Sequence, residues 1–330
     1  MATERLEIVC PAGTPAALRT AVDAGADSVY CGFNDETNAR NFPGLNFSRA
    51  EMAVGIAYAA ARGVKVLVAI NTFPRAGSEA LWHRAVDDAL ACGAHAVILA
   101  DIGLLAYAAE RHPDRRLHLS VQAAASNADA INFYAETFGI RRVVLPRVLT
   151  VEEIAAINRE IDVETEVFIF GGLCVMAEGR CSLSSYATGR SPNMHGVCSP
   201  ASHVAYAEEG EDLVARLGGF TIHRVPKAVA APYPTLCKGC FQTGDYRGHI
   251  FEDPVSLDAA TLMPQLARAG VRALKIEGRQ RSRAYVEQVV RAFRRASEAE
   301  AAGQPIPESE LWRLTEGQQT TAGAYRKTWR

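Results

Sequence analysis

KVLVAINTFPRAGSEALWHRAVDDALACGAHAVILADIGLLAYAAERHPDRRLHLSVQ (65–122) carries one alternation twice over. Three short apolar runs, KVLVAI (65–70), AVILA (96–100) and LHLSV (117–121), are separated by stretches of helical character. The runs are rich in Val, Ile and Leu, as strands covered on both faces are. The same run recurs outside this stretch as LEIVC (6–10), DSVYC (27–31), RVVLP (142–146), EVFIF (166–170) and ALKIE (273–277), which makes eight. Alternating strand and helix signals predict a parallel sheet. Eight units predict an α/β fold closed as a (β/α)8 TIM-like barrel. A doubly wound open sheet would carry a glycine fingerprint after its first strand, and CPAGTPAAL has one glycine there.

Local punctuation agrees with this reading. Thr14–Pro15 reads as an N-cap with proline at the first helical position. Ser48…Glu51 and Thr150…Glu153 have capping-box spacing. Gly25, Gly63, Gly93, Gly139 and Gly270 each sit where a helix stops before the next strand. The expected organisation is residues 1–171 as the first seven strands and 172–254 as an enlarged insertion before strand eight. Residues 255–330 would supply the last strand and C-terminal helices, one over 256–269 and one over 282–301.

The insertion holds Cys174, Cys181, Cys198 and Cys237, with gaps of six, sixteen and thirty-eight residues. Cys10, Cys31 and Cys92 scatter beside apolar runs. Four thiols match the ligand count of a cubane iron–sulfur cluster or a structural zinc. Zinc knuckles use two-residue gaps, and only Cys237 and Cys240 have one. An inorganic core tolerates uneven gaps. The competing reading is four cysteines that merely pack. The opening MATERLEIVCPAG has no apolar signal segment, which leads to an expected cytoplasmic location with reduced thiols.

Net charge is −2, with 48% hydrophobic and 22% charged residues, so composition gives no electrostatic case for nucleic acid or an anionic membrane. No apolar stretch approaches bilayer length. Along the strands, period-two reading puts His118, Ser120 and Gln122 on one face, and Lys275, Glu277 and Arg279 on another. Such files belong inside a barrel, reaching its mouth, because unpaired charge under the helices is costly. Asn71, Asp101 and Arg147 lie at comparable strand ends, and Arg40 and Asn41 in the loop after strand two. The candidate substrate-binding set is therefore Arg40, Asn71, Asp101, Gln122, Arg147, Glu277 and Arg279. Arginines there suit carboxylates. An internal Lys275–Glu277 salt bridge is the alternative for that file. Ser182, Ser184 and Ser185 lack a nucleophile elbow, His195 and His203 take no catalytic role, and no HExxH site exists.

At LCVMAEGRCSLSSYATGRSPNMHGVCSPA (173–201) the chain resembles the collagenase-like peptidases of undefined catalytic type. DETNARNFPGLNF (35–47), AINTF (69–73), LADIGLL (99–105), INFY (131–134), VVLPRVL (143–149), PTLCKG (234–239), KIEGRQRS (275–282) and TTAGAYRKTW (320–329) extend the resemblance along the chain. It is nearest to the branch serving oxygen-independent ubiquinone biosynthesis. The resemblance implies a [4Fe–4S] cluster on Cys174, Cys181, Cys198 and Cys237, with Cys240 an extra thiol beside the fourth ligand. It implies a heterodimer with a homologous UbiV-like cluster protein, and a UbiT-like lipid-binding partner. The implied reaction is hydroxylation of the polyprenyl quinone precursor ring, with prephenate as hydroxyl donor. Relatives that hydroxylate ribosomal or transfer RNA bases supply the first alternative. A peptidase and a scaffold whose cluster only shapes the insertion supply two more.

Overall fold

The structure is a computed structural model that describes residues 5–229, 231–315 and 319–326. The extreme ends of the two outer expected units, 1–4 and 327–330, lie outside the described residues. Strands and helices alternate from the start: β1 (Glu7–Pro11), α1 (Pro15–Asp23), β2 (Ser28–Cys31), α2 (Arg49–Ala60), β3 (Lys65–Ile70), α3 (Ala80–Ala91) and β4 (Ala96–Leu99). The alternation continues through α4 (Ile102–Arg111), β5 (Arg116–Leu119), α5 (Ala128–Phe138), β6 (Arg142–Val144), α6 (Val151–Asn158) and β7 (Glu164–Gly172).

The insertion then runs through two short helices, α7 (Leu183–Thr188) and α8 (Pro192–His195). A three-stranded antiparallel sheet follows, made of β8 (Val204–Glu209), β9 (Asp212–Leu217) and β10 (Phe220–Pro226). A hairpin comes next, with β11 (Cys240–Thr243) and β12 (Tyr246–His249). β13 (Ser256–Asp258), α9 (Met263–Arg268), β14 (Ala273–Ile276), α10 (Arg283–Ala301) and β15 (Thr320–Thr321) complete the chain.

Strands β1 to β7 pair in sequence order, all parallel. β14 pairs parallel with both β7 and β1, which closes the eight-stranded barrel. The signals that predicted the helices act as expected. Thr14 caps α1 with Pro15 at its start, and both capping boxes form in full. The five expected glycines all adopt positive φ.

One expectation needs correction. Residues 256–269 are not one helix. Ser256–Asp258 form a strand, antiparallel to the Phe170–Gly172 end of β7, and only Met263–Arg268 are α-helical. The expected helix over 282–301 is α10, and after it the described tail holds 3₁₀ turns and β15, which pairs parallel with β13. Among the described residues, no helix is long and apolar enough to cross a membrane.

The main core lies between the sheet and its helices, where Leu18, Phe47, Met52, Trp82 and Phe293 are fully buried. A smaller apolar cluster of Val9, Tyr30, Leu67, Ala69, Ala96, Ile98 and Ala273 fills part of the barrel interior. Below it Arg142 pairs with Glu7 at 2.8 Å, Glu164 at 2.7 Å and Glu166 at 3.2 Å. Charges this deep are stable only because each has partners. Lys275 joins this network through Glu166 and lies 3.9 Å from the Tyr30 ring centre. The lysine of the last strand thus pairs with Glu166 and not with Glu277.

Candidate metal centre and barrel mouth

The cysteine segment begins where β7 ends, so the barrel itself delivers Cys174 to the C-terminal rim. Two glycines let the segment lie flat on that rim. A Cβ on Gly179 would collide with the Gln122 carbonyl, and one on Gly196 with the Ala39 carbonyl. Asn193 Nδ2 donates to the Cys181 carbonyl at 2.9 Å, which fixes the second cysteine against α8. Tyr233 Oη donates to the Ser199 carbonyl at 3.1 Å, and Ser199 Oγ donates to the Pro234 carbonyl. These bonds draw the Cys198 and Cys237 strands of chain together across thirty-eight residues.

The four thiols are electrostatic neighbours. Burial raises Cys174 and Cys237 to about 12; Cys198 pushes the same way at both, and Cys174 and Cys181 do so at Cys237. Cys198 is the most open to solvent, yet desolvation of its thiol still raises it, with Cys181 adding to the rise. Cys240 is not among the strongest neighbours of Cys174, Cys198 or Cys237; it sits in β11 opposite His249. Among the described residues, no three His, Cys, Asp or Glu side chains are grouped as ligands of one metal ion. A cubane places each thiolate on a different iron, so single-ion grouping is not what it requires. Thiols held neutral by burial become thiolates when iron supplies the compensating charge.

Cations ring the cysteines. Arg147, just past β6, donates from Nε to Glu178 at 2.6 Å and also bonds the Gly172 carbonyl. Its guanidinium stacks 4.0 Å from the Phe168 ring centre. Burial works against its charge, but Glu178 and Cys174 outweigh that and raise it. Arg147 was expected to grip a substrate carboxylate; here it clasps Glu178, between Cys174 and Cys181, to the rim. The Arg40 guanidinium lies against Gly196 and makes no hydrogen bond among the described residues.

Arg279 is the unusual group. It is 6% exposed, and its guanidinium donates one bond, to Asn38 Oδ1 at 2.8 Å. No carboxylate pairs with it among the described residues, and burial lowers it to about 10. Glu277 accepts from the Gly172 amide at 3.2 Å; burial would raise its carboxyl, but Arg40 and Arg147 hold it below the usual range. Among the described residues Glu277 thus faces Arg40 and Arg147, while Arg279 has no carboxylate partner.

The other expected contacts are held by the protein itself. Asp101 caps α4 through the Leu104 amide at 2.9 Å. Asn71 Oδ1 accepts from the Ala39 amide at 3.1 Å. The Gln122 side chain, with its amide turned to suit its neighbours, donates to the Asn71 and Asn193 carbonyls and so ties rim to insertion. The expected His118 file splits: His118 turns to Arg116 inside the barrel, and Ser120 caps the turn that carries Gln122. Sequence reading missed Glu178, Asn38 and Lys238. Glu178 and Lys238 stand within four residues of a cysteine, which was the available signal.

Serine and histidine in the insertion make no hydrolytic pair. Ser202 Oγ and His203 Nδ1 lie 3.0 Å apart as sequence neighbours, and no carboxylate orients that ring among the described residues.

The profile of Peptidase family U32 matches residues 13–325. The chain belongs to Peptidase family U32. Within this family it is 32% identical over 324 residues to tRNA hydroxylation protein P of Escherichia coli, covering 92% of this chain and 70% of that one. It is 31% identical over 304 residues to tRNA hydroxylation protein P1 of Bacillus subtilis, covering 90% and 64%. It is 30% identical over 302 residues to the 23S rRNA 5-hydroxycytidine C2501 synthase of Escherichia coli, covering 91% of this U32 chain and 40% of that one.

Proposed function

We propose that this chain is a UbiU-like iron–sulfur component of oxygen-independent hydroxylation, acting on the ring of the ubiquinone precursor. The observation that supports the reading is a segment carrying the cysteines that docks on the barrel rim, above a buried arginine with no carboxylate partner among the described residues. Cys174, Cys181, Cys198 and Cys237 would hold a [4Fe–4S] cluster. When bound, such a cluster supplies one-electron chemistry beside the mouth. Arg279 and Arg40 would bind a carboxylate of the hydroxyl donor, and a dicarboxylate such as prephenate can engage both guanidiniums. Arg147 and Glu178 would hold the cysteine segment in place. A UbiV-like homologue and a UbiT-like lipid carrier complete the proposed assembly.

The hydroxylation-named relatives support the reaction class. They also favour a second reading, in which the acceptor is an RNA base. The net charge of −2 supports the quinone precursor over RNA, which is bound through basic surfaces. An anaerobically grown deletion strain separates the two. The account expects the unhydroxylated quinone precursor to accumulate while modified nucleosides stay normal. Normal quinone with a missing hydroxynucleoside transfers the assignment to RNA.

A further inference from the structure

We propose that Asn38 is a positioning residue: it holds Arg279 by Nη1 and so presents the Nε–Nη2 edge to a carboxylate, a role that rests on the donor reading above. Arg279 lies just past β14, and Asn38 lies in the loop between β2 and α2. Nη1 donates to Asn38 Oδ1 at 2.8 Å, and both residues are buried. Nε and Nη2 make no hydrogen bond among the described residues, and neither belongs to the enclosed polar atoms that lack a partner. That edge therefore opens onto the mouth. Its two N–H groups point the same way, at the spacing that meets both oxygens of one carboxylate. The guanidinium also lies 5.7 Å from the Tyr30 ring centre. A buried charge without an anion is costly, so the fold keeps this one for a partner.

The contact is held from both ends. A Cβ on Gly13 would collide with the Arg279 carbonyl, so the loops after β1 and β14 meet backbone to backbone. A Cβ on Gly32 would collide with the Asn38 side chain. Asn38 Nδ2 donates to the Phe33 carbonyl at 2.9 Å, and Oδ1 also accepts from the Arg40 amide at 3.0 Å. Asn46 ties down the far end of the same loop. Its backbone amide donates to the Gly13 carbonyl at 2.6 Å, and its Nδ2 donates to the Arg40 carbonyl at 2.6 Å. A side-chain amide serves both of Asn38's contacts, as acceptor for the guanidinium and donor to Phe33. Asn38→Asp would keep the shape, spend the charge of Arg279 and set a carboxylate oxygen against the Phe33 carbonyl. The neutral residue leaves that charge for a ligand.

The test titrates prephenate into full-length, anaerobically purified protein by calorimetry. Asn38→Asp and Asn38→Ala are each made in the parent and in an Arg279→Met background. With Arg279 present, both should weaken prephenate binding by roughly tenfold or more, since a fork turned or neutralised no longer meets the carboxylate. In the Arg279→Met background the same changes should leave the residual affinity within about twofold. An asparagine that only supports the loop would lower affinity by the same factor in both backgrounds, and that result overturns the proposal. Parent-like affinity in a folded Asn38→Asp protein overturns it too. Thermal unfolding shows which variants fold, and either one that folds carries the test. If neither folds, Asn38 is a structural keystone and the proposal falls. Parent protein that binds no prephenate defeats the donor reading, and this role with it, before any variant is compared.

Discussion

Arg147 and Arg279 read alike in the sequence, each just past a strand at the same end of the barrel. The structure separates them by their partners. Arg147 has a buried carboxylate at 2.6 Å, whereas Arg279 has an amide oxygen and the face of the Tyr30 ring, and no carboxylate among the described residues. Their substitutions should therefore fail differently. Arg279→Ala should leave iron content unchanged and weaken donor binding by about 2–5 kcal/mol, the usual cost of losing one side of a charged contact. Arg279→Lys should restore activity poorly, because an ammonium lacks the planar fork. Arg147→Ala strands Glu178 and should cost about 3–5 kcal/mol of local stability, read as loss of iron rather than a raised KM. Iron assay and donor titration on both variants check this; normal activity in Arg279→Ala would make that arginine structural. The rim position was legible because strand period fixes which residues reach the mouth. The partner was not, since Glu178 lies thirty-one residues along the chain from Arg147 and no local pattern joins them.

Elements were legible where the signal is local. Caps, capping boxes and terminal glycines placed the barrel helices, and apolar runs placed the eight barrel strands. The misread stretch is non-local. Ser256–Asp258 become a strand by pairing with the end of β7, some eighty residues earlier, a fact absent from their own composition. The same limit hid how the insertion docks. Gly179 and Gly196, in EGRC and MHGV, are contact points where backbone meets backbone. Gly179→Ala adds a left-handed penalty of about 1–2 kcal/mol to a collision with the Gln122 carbonyl. Gly196→Ala does the same at Ala39. Both variants should speed proteolysis or hydrogen exchange across residues 173–203 while the barrel strands stay protected. Unchanged protection there would mean the segment is not held by the rim.

At the scale of the molecule, the charged floor of the barrel ties stability to pH. Burial alone would raise the Glu7 carboxyl, but Arg142 and Ser28 hold it at about 2. A carboxyl lowered in the folded state favours folding above its unfolded value and loses that contribution as pH falls. Stability should be complete above about pH 4.5 and decline towards pH 2, by up to about 3 kcal/mol from this group. Glu7→Gln should flatten that decline in a denaturant series; an equal slope in both proteins would place the acid sensitivity elsewhere. Assembly is a second property of the whole. Co-expression with the UbiV-like homologue should yield a 1:1 complex by light scattering, whereas a fully active lone chain would remove the need for that partner. The claim on which all of this turns is the metal. Iron and acid-labile sulfide should be measured in anaerobically purified protein beside Cys237→Ala and Cys240→Ala. The account predicts about four of each per chain in the parent and in Cys240→Ala, and loss of both in Cys237→Ala. Stoichiometric zinc without sulfide in the parent would contradict it.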